Sequence, residues 1–291
     1  MTYTSPIIDA HVHMFPDNLF DAIWKYFKRN YWDISKEIYS NEIPSFLSQY
    51  NVQYHTSLLY AHKPNISRDL NDWVRFISKS YSQIIPFGTI HPEDKYFSEE
   101  LERILSPDKL DFTGLKLQLM VTDFDPNISR LEEMYEKLLE YDKVLVLHIG
   151  NGPTADHCRN KSLGMSPHVG IKKLRPVLLS YPKLKLQIPH LGATEYGEMF
   201  NLAKEYKNIF FDTAMVLIDH KVFPSGLERE SMIDDVKGLQ NRILFGSDFP
   251  NIPYNYSFCL NETLQLDLPI GIIEKILYKN ALCHYNLKIE T

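Results

Sequence analysis

Eight short apolar runs punctuate this sequence, and their recurrence is its strongest constraint on folding. Each run is rich in Val, Ile, Leu and Phe, ends in a polar or Gly/Pro turn, and is followed by an amphipathic stretch. The runs are Ile7–His13, Gln53–Tyr60, Ile84–Ile90, Thr113–Leu119, Val144–Ile149, Lys185–Pro189, Ile209–Thr213 and Ile243–Ser247. Near-continuous apolar runs of this length suit strands buried on both faces, as in a parallel sheet. Between them, Ile128–Tyr141 places Ile128, Leu131, Met134, Leu138 and Leu139 on one helical face, with Ser129 as an early cap; Ile171–Leu179 and Tyr196–Tyr206 read similarly. Strand–helix alternation counted eight times predicts an α/β fold of the closed (β/α)8 TIM-barrel type. A doubly wound open sheet is the alternative, but no Gly-x-Gly-x-x-Gly follows the first run. The 291 residues then form a single domain, residues 1–291, one barrel of about 250 residues plus an insertion.

The insertion interrupts the rhythm between the first two strands. Residues 16–50 are long for one connection and dense in aromatics: Phe20, Trp24, Tyr26, Phe27, Tyr31, Trp32, Tyr39 and Phe46. They read as a pair of helices packed on the barrel, or as a lid over its mouth, because the loop after a strand lies on the catalytic face.

Composition narrows the function. The net charge is −6, and 44% of residues are hydrophobic and 23% charged, the balance of a globular protein. An acidic chain without a basic block argues against nucleic acid or an anionic membrane as main partner. No apolar run approaches the roughly 18 residues of a membrane span. The N-terminus lacks a basic patch followed by an apolar core, so no signal peptide is expected. Cys158, Cys259 and Cys283 are an odd count without Cys-x-x-Cys, which suits reduced thiols in a cytoplasm.

The chemistry gathers where strands end. Ile7–His13 finishes with His11 and His13 two residues apart; alternate strand residues share a face, so the pair can grip one cation. Such a pair arises often by chance, and its value lies in its place at a strand exit, where a barrel puts its functional groups. His148 ends the fifth run, His190 follows the sixth and Asp248 follows the eighth. Singly, each reads as a hydrogen-bonded structural residue or a cap. Together, four imidazoles and a carboxylate without a thiolate suit Zn²⁺, Mn²⁺ or Fe²⁺ in a site that keeps an open position.

These motifs resemble the amidohydrolase superfamily, in its amidohydrolase-related (amidohydrolase 2) branch of metal-dependent hydrolases and decarboxylases. The resemblance rests on Asp9-Ala10-His11-Val12-His13, Gly114-Leu115-Lys116-Leu117, His148-Ile149-Gly150, Pro189-His190-Leu191-Gly192, Gly246-Ser247-Asp248-Phe249-Pro250 and Asn280-Ala281-Leu282. It implies one divalent metal held by His11, His13, His148 and Asp248, zinc ahead of manganese or iron. It also implies that His190 and Asp248 manage the proton. Lys116 is expected as a free amine that binds an acidic substrate; a carboxylated Lys116 bridging two metals is the binuclear alternative. Related sequences often carry His where this chain has Gln118.

Other polar residues carry less. His62 and His91 read as turn residues, Asp212 as a structural carboxylate, and Cys158 has nothing beside it to mark a nucleophile. The loop Asn151–Ser166 contains Asp156, His157 and Arg159, and Arg159 is a candidate partner for a substrate carboxylate. The leading expectation is a cytoplasmic metal-dependent hydrolase acting on an amide, ester or lactone bond of a small carboxylated molecule, through a metal-activated water. The alternative is non-oxidative decarboxylation of an aromatic or unsaturated acid. A TatD-type DNase would need an acidic group where Lys116 stands, and a non-catalytic binding barrel would need a lost ligand. The expected partner is a small molecule, with no nucleic acid and no membrane; a homodimer is left open.

Overall fold

A computed structural model describes residues 3, 5–150, 158–160, 166–218 and 229–287. Eight parallel strands lie in sequential order: β1 (Ile7–Asp9), β2 (Val52–Ser57), β3 (Ile84–Gly88), β4 (Gly114–Gln118), β5 (Val144–His148), β6 (Lys185–Ile188), β7 (Ile209–Asp212) and β8 (Ile243–Leu244). The two ends of the sheet meet: the Ala10 amide donates to the Phe245 carbonyl at 2.8 Å, and Val12 pairs with Phe249. The predicted (β/α)8 barrel is therefore the fold.

Helices fill the connections. They are α1 (Asp17–Asn30), α2 (Ile43–Ser48), α3 (Ser67–Ser80), α4 (Phe97–Leu105), α5 (Leu119–Thr122), α6 (Glu132–Glu140), α7 (Ile171–Ser180), α8 (Tyr196–Glu205), α9 (Arg229–Gly238), α10 (Tyr256–Leu264), α11 (Ile270–Glu274) and α12 (Asn280–His284). Before α6 a 3₁₀ turn covers Ser129–Leu131, and Ser129 makes no side-chain cap. Leu131, Met134, Tyr135 and Leu138 are buried while Leu139 is exposed, because the buried stripe follows steps of three and four from Leu131.

Strand alternation divides the apolar residues into two sets. Ile7, Leu115, Leu117, Leu145, Leu147 and Phe211 pack outward against helices. Ile8, Ile85, Phe87, Val144, Val146 and Leu244 point inward and meet Ala281 and Tyr285 from the chain's end. The same inward parity carries Lys116 and Gln118 on β4 and His148 on β5.

The predicted strands overshoot at their exits. The first ends at Asp9, not His13, and the chain bends at Ala10. Ala10 belongs to the inward set, and so does His11 immediately after it. The bend reverses the alternation and turns both histidines to the barrel axis. Gly246 makes room for His11: a Cβ there would lie 2.8 Å from the His11 Cβ and 3.1 Å from that of Asp212.

The segment 16–50 does two things. Through α2 it packs on the barrel, Phe46 stacking on Phe249 with ring centroids 4.9 Å apart. On α1, Phe20 and Trp24 face the protein and stack at 5.0 Å, while Leu19, Ile23 and Phe27 line a cavity at the strand exits.

Candidate active site

The exits of β1, β5, β6 and β8 bring their imidazoles and carboxylate to one place. His11 Nε2 and His13 Nε2 each lie 3.1 Å from Asp248 Oδ1. These three residues offer ligand atoms within 4.8 Å of one another. The His190 ring stands 5.1 Å from that of His11 and 4.8 Å from that of His148. His148 lies outside the tight trio but beside it, with its Nε2 buried and without a hydrogen-bond partner.

Hydrogen bonds to the rear nitrogens set the chemistry of these rings. His11 Nδ1 lies 3.0 Å from Asp212 Oδ2, and His13 Nδ1 lies 3.0 Å from the Leu58 carbonyl. An acceptor at Nδ1 places the proton there and leaves Nε2 as a lone pair. Burial pushes the His11 imidazole down to about 4, against the pull of Asp212 and Asp248, so it is neutral near pH 7. Burial likewise holds His148 well below its ordinary value, helped by His190 and Lys116. Asp248 is buried with the two rings, and its Oδ1 is the oxygen that both Nε2 atoms face. Two imidazole lone pairs then face one carboxylate oxygen in a buried space. That arrangement is repulsive unless a cation lies among the three atoms, so the donor set fits a divalent metal.

Asp212 ties the site together. Its Oδ2 also accepts from Gln187 Nε2 at 2.8 Å, and its Oδ1 accepts from the His190 amide at 3.0 Å. His190 sits in a left-handed turn, with φ of 57° at His190, 52° at Leu191 and 85° at Gly192. Such backbone is costly for non-glycine residues and persists only where the surroundings hold it. Here the Asp212 bond and a 2.7 Å contact from His190 Nδ1 to the Ala214 carbonyl do so. Asp248 is also left-handed, at φ 68°.

Behind the rings, Asp9 accepts from the amides of His11 and Ser247, both at 3.1 Å, and from Tyr256 Oη at 3.0 Å. Burial raises its carboxyl to about 7 against these bonds. Asp9 thus links the first and eighth strand exits.

The cavity above the rings has a volume of about 450 Å³. His13, His148, His190, Asp248 and Gln118 line its floor; Phe27, Tyr31, Trp32 and Tyr60 are among its aromatic walls. Trp32 is fixed by a 2.9 Å bond from Nε1 to the Asn251 carbonyl. His62, read from sequence as a turn residue, also lines the cavity. Tyr26, Tyr31, Tyr60, Met215 and Asn251 were not singled out by sequence reasoning as lining residues; only the aromatic density of 16–50 signals the first two.

The two residues expected to bind substrate are placed differently. Lys116 is wholly buried, does not line the cavity, and its Nζ has no hydrogen-bond partner. Burial lowers its amine to about 8 despite Asp212 and Asp248. Arg159 is exposed and outside the cavity lining: its guanidinium bonds the Lys28 carbonyl and meets Asp33 Oδ2 at 2.9 Å. A surface partner close in space takes it up. Asp156 and His157 lie outside the described residues. His91 accepts the Glu93 amide in a turn. The cysteines form no disulfide among the described residues, and there no helix is long and apolar enough to cross a membrane.

Solved structures share this fold. An uncharacterised TIM-barrel protein from Bordetella bronchiseptica aligns with a TM-score of 0.71 and 17% identity, over 97% of this chain and 100% of that one. The 2,6-dihydroxybenzoate decarboxylase from Rhizobium gives 0.70 and 16%, over 97% and 99%. The 5-carboxyvanillate decarboxylase from Novosphingobium aromaticivorans, complexed with manganese and 4-hydroxy-3-methoxy-5-nitrobenzoic acid, gives 0.68 and 12%, over 97% and 96%. No curated protein matches the chain in sequence. The sequence profile of one family, described as Amidohydrolase, matches residues 8–287. A match over nearly the whole length, on a barrel whose strand exits carry the expected imidazoles and carboxylate, shows that this chain belongs to the amidohydrolase family.

Proposed function

We propose that the protein is a metal-dependent decarboxylase of an aromatic carboxylic acid. The observation that carries this reading is one cavity with an imidazole–carboxylate floor and an aromatic wall. The decarboxylases among its structural neighbours, one of them holding manganese and a nitrobenzoic acid, support decarboxylation ahead of hydrolysis. Metal-dependent hydrolysis of a small carboxylated amide, ester or lactone is the second reading, because the same donors serve it.

His11, His13, His148 and Asp248 would hold one divalent ion. Imidazole and carboxylate donors accept both zinc and manganese; likeness to the carboxyvanillate enzyme favours manganese. When bound, the ion supplies positive charge that offsets and orients a substrate carboxylate. Phe27, Tyr31 and Trp32 hold the aromatic ring and exclude water, with α1 acting as a cover. Loss of the carboxyl carbon as CO2 leaves its electron pair on the ring carbon, which must take up one proton. His190 and Asp248, both on the cavity floor, hold and move that proton. Lys116, with no access to the cavity, balances the buried charge of Asp212 and Asp248. Thiols that form no disulfide among the described residues suit a cytoplasmic setting, and the cavity suits a small molecule as partner.

The test is a panel of hydroxylated benzoates, amides, esters and lactones offered to manganese- and zinc-loaded protein. Release of CO2 with one equivalent of decarboxylated arene is the expected result. Turnover confined to the hydrolysable substrates, with no CO2, would overturn it in favour of hydrolysis.

A further inference from the structure

Four imidazoles meet at the site, and in three of them an oxygen faces Nδ1. The acceptors are Asp212 Oδ2 for His11 at 3.0 Å, the Leu58 carbonyl for His13 at 3.0 Å and the Ala214 carbonyl for His190 at 2.7 Å. His148 differs. Its Nδ1 meets the side-chain amide of Gln118, with Nε2 of that amide 2.8 Å away. Gln118 and His148 are register partners on adjacent parallel strands. Both are the last residues of their strands and both point inward, so strand spacing of about 4.8 Å brings their side chains together.

A carboxamide can offer either atom, and only hydrogen-bond chemistry assigns which. With the amide nitrogen donating to Nδ1, the neutral ring carries its proton on Nε2. That N–H is buried with no acceptor, and Gln118 Oε1 is also buried with no partner. Such a ring cannot offer Nε2 to a cation. With the amide turned by 180°, Oε1 accepts the Nδ1 proton, and His148 presents a lone pair at Nε2 like its three neighbours.

We propose that Gln118 is a positioning residue for His148: its amide carbonyl accepts the Nδ1 proton and thereby holds Nε2 as the metal-facing lone pair. This rests on His148 being a metal ligand. It goes beyond that reading by giving a task to a residue outside the ligand set.

The experiment uses the full chain, stripped of metal and titrated with manganese or zinc against a chromophoric chelator, in wild type, Gln118→Leu, Gln118→Glu and His148→Ala. Histidine nitrogen spectra of the metal-free wild type are recorded alongside. Gln118→Leu should weaken binding by about 10–100-fold, with the unfolding temperature of the metal-free protein close to wild type. Gln118→Glu, whose carboxylate can only accept at Nδ1, should restore affinity to within a few-fold. The His148 signal should show the proton on Nδ1. Wild-type affinity in Gln118→Leu, equal weakness in Gln118→Glu, or a proton on Nε2 would each overturn the proposal. His148→Ala separates the two readings. Undiminished metal binding there removes His148 from the ligand set, whereas loss there with none in Gln118→Leu refutes only the role of Gln118. If Gln118→Leu does not fold, the wild-type nitrogen spectrum and Gln118→Glu still decide.

Discussion

Asp212 Oδ2 lies 3.0 Å from His11 Nδ1, with both side chains fully buried. The carboxyl is lowered to about 2: burial opposes its ionisation, and His11, His190 and Gln187 overcome that. An ionised acceptor behind His11 makes that ring a better donor to a cation. Asp212→Asn should therefore weaken metal binding by about 10–100-fold, read by chelator competition. Unchanged affinity would leave Asp212 with a purely structural task.

His148 and His190 should separate metal binding from turnover. His148→Ala should strip the metal, because one of few ligands is gone. His190→Ala should keep most of the metal and lose about 10²–10⁴-fold in kcat, the usual cost of a lost acid–base group. Metal content and kcat measured on one purified sample of each variant decide this. Full metal with full kcat in His190→Ala would refute its catalytic role.

The two faces of α1 should respond differently to truncation. Phe27→Ala opens the cavity wall and should raise KM for an aromatic acid with a small change in stability. Trp24→Ala removes a buried ring stacked on Phe20 and should cost about 3–5 kcal/mol, seen as a lower unfolding midpoint. A fall in stability for Phe27→Ala as large as that for Trp24→Ala would show that both rings only pack.

Lys116 should remain a free amine beside a single metal. Its Nζ is buried without a partner, between Asp212 and Asp248 in its electrostatics. Metal analysis should give about one equivalent per chain. Two equivalents, with a carboxylated lysine in the density, would establish the binuclear alternative.

Stability should fall with acid through a residue remote from the metal donors. His284 stacks on Phe210 at 4.0 Å, and burial lowers its imidazole to about 3. A depressed folded value means that the unfolded chain binds the proton first. The contribution is complete above about 6.5 and is lost as pH falls towards 3, reaching about 2 kcal/mol at pH 5. Urea midpoints at pH 7 and pH 5 should therefore differ less in His284→Gln than in wild type. Equal pH dependence in the two would show that His284 does not carry the effect.

The barrel and the gathering of His11, His13, His148, His190 and Asp248 at strand exits are legible in the linear sequence because they depend on short-range rules. Apolar runs such as Val144–His148 report burial on both faces, and inward parity along β4 and β5 places Gln118 and His148 at adjacent exits. His11 and His13 close the first apolar run, and Asp248 follows the eighth. Other decisions need the closed sheet. The bend at Ala10 reverses the strand alternation and is set by pairing with Phe245 and Phe249, more than 230 positions away. Arg159 leaves the fifth strand exit yet goes to Asp33, because that carboxylate is its near neighbour in space. Whether an aromatic of α1 builds the core, as Trp24 does, or the cavity wall, as Phe27 does, depends on how the helix rolls against the barrel. Local pattern specifies which face of an element is buried. The partners that face meets, and the protons its histidines carry, are decided only when distant strands close on one another.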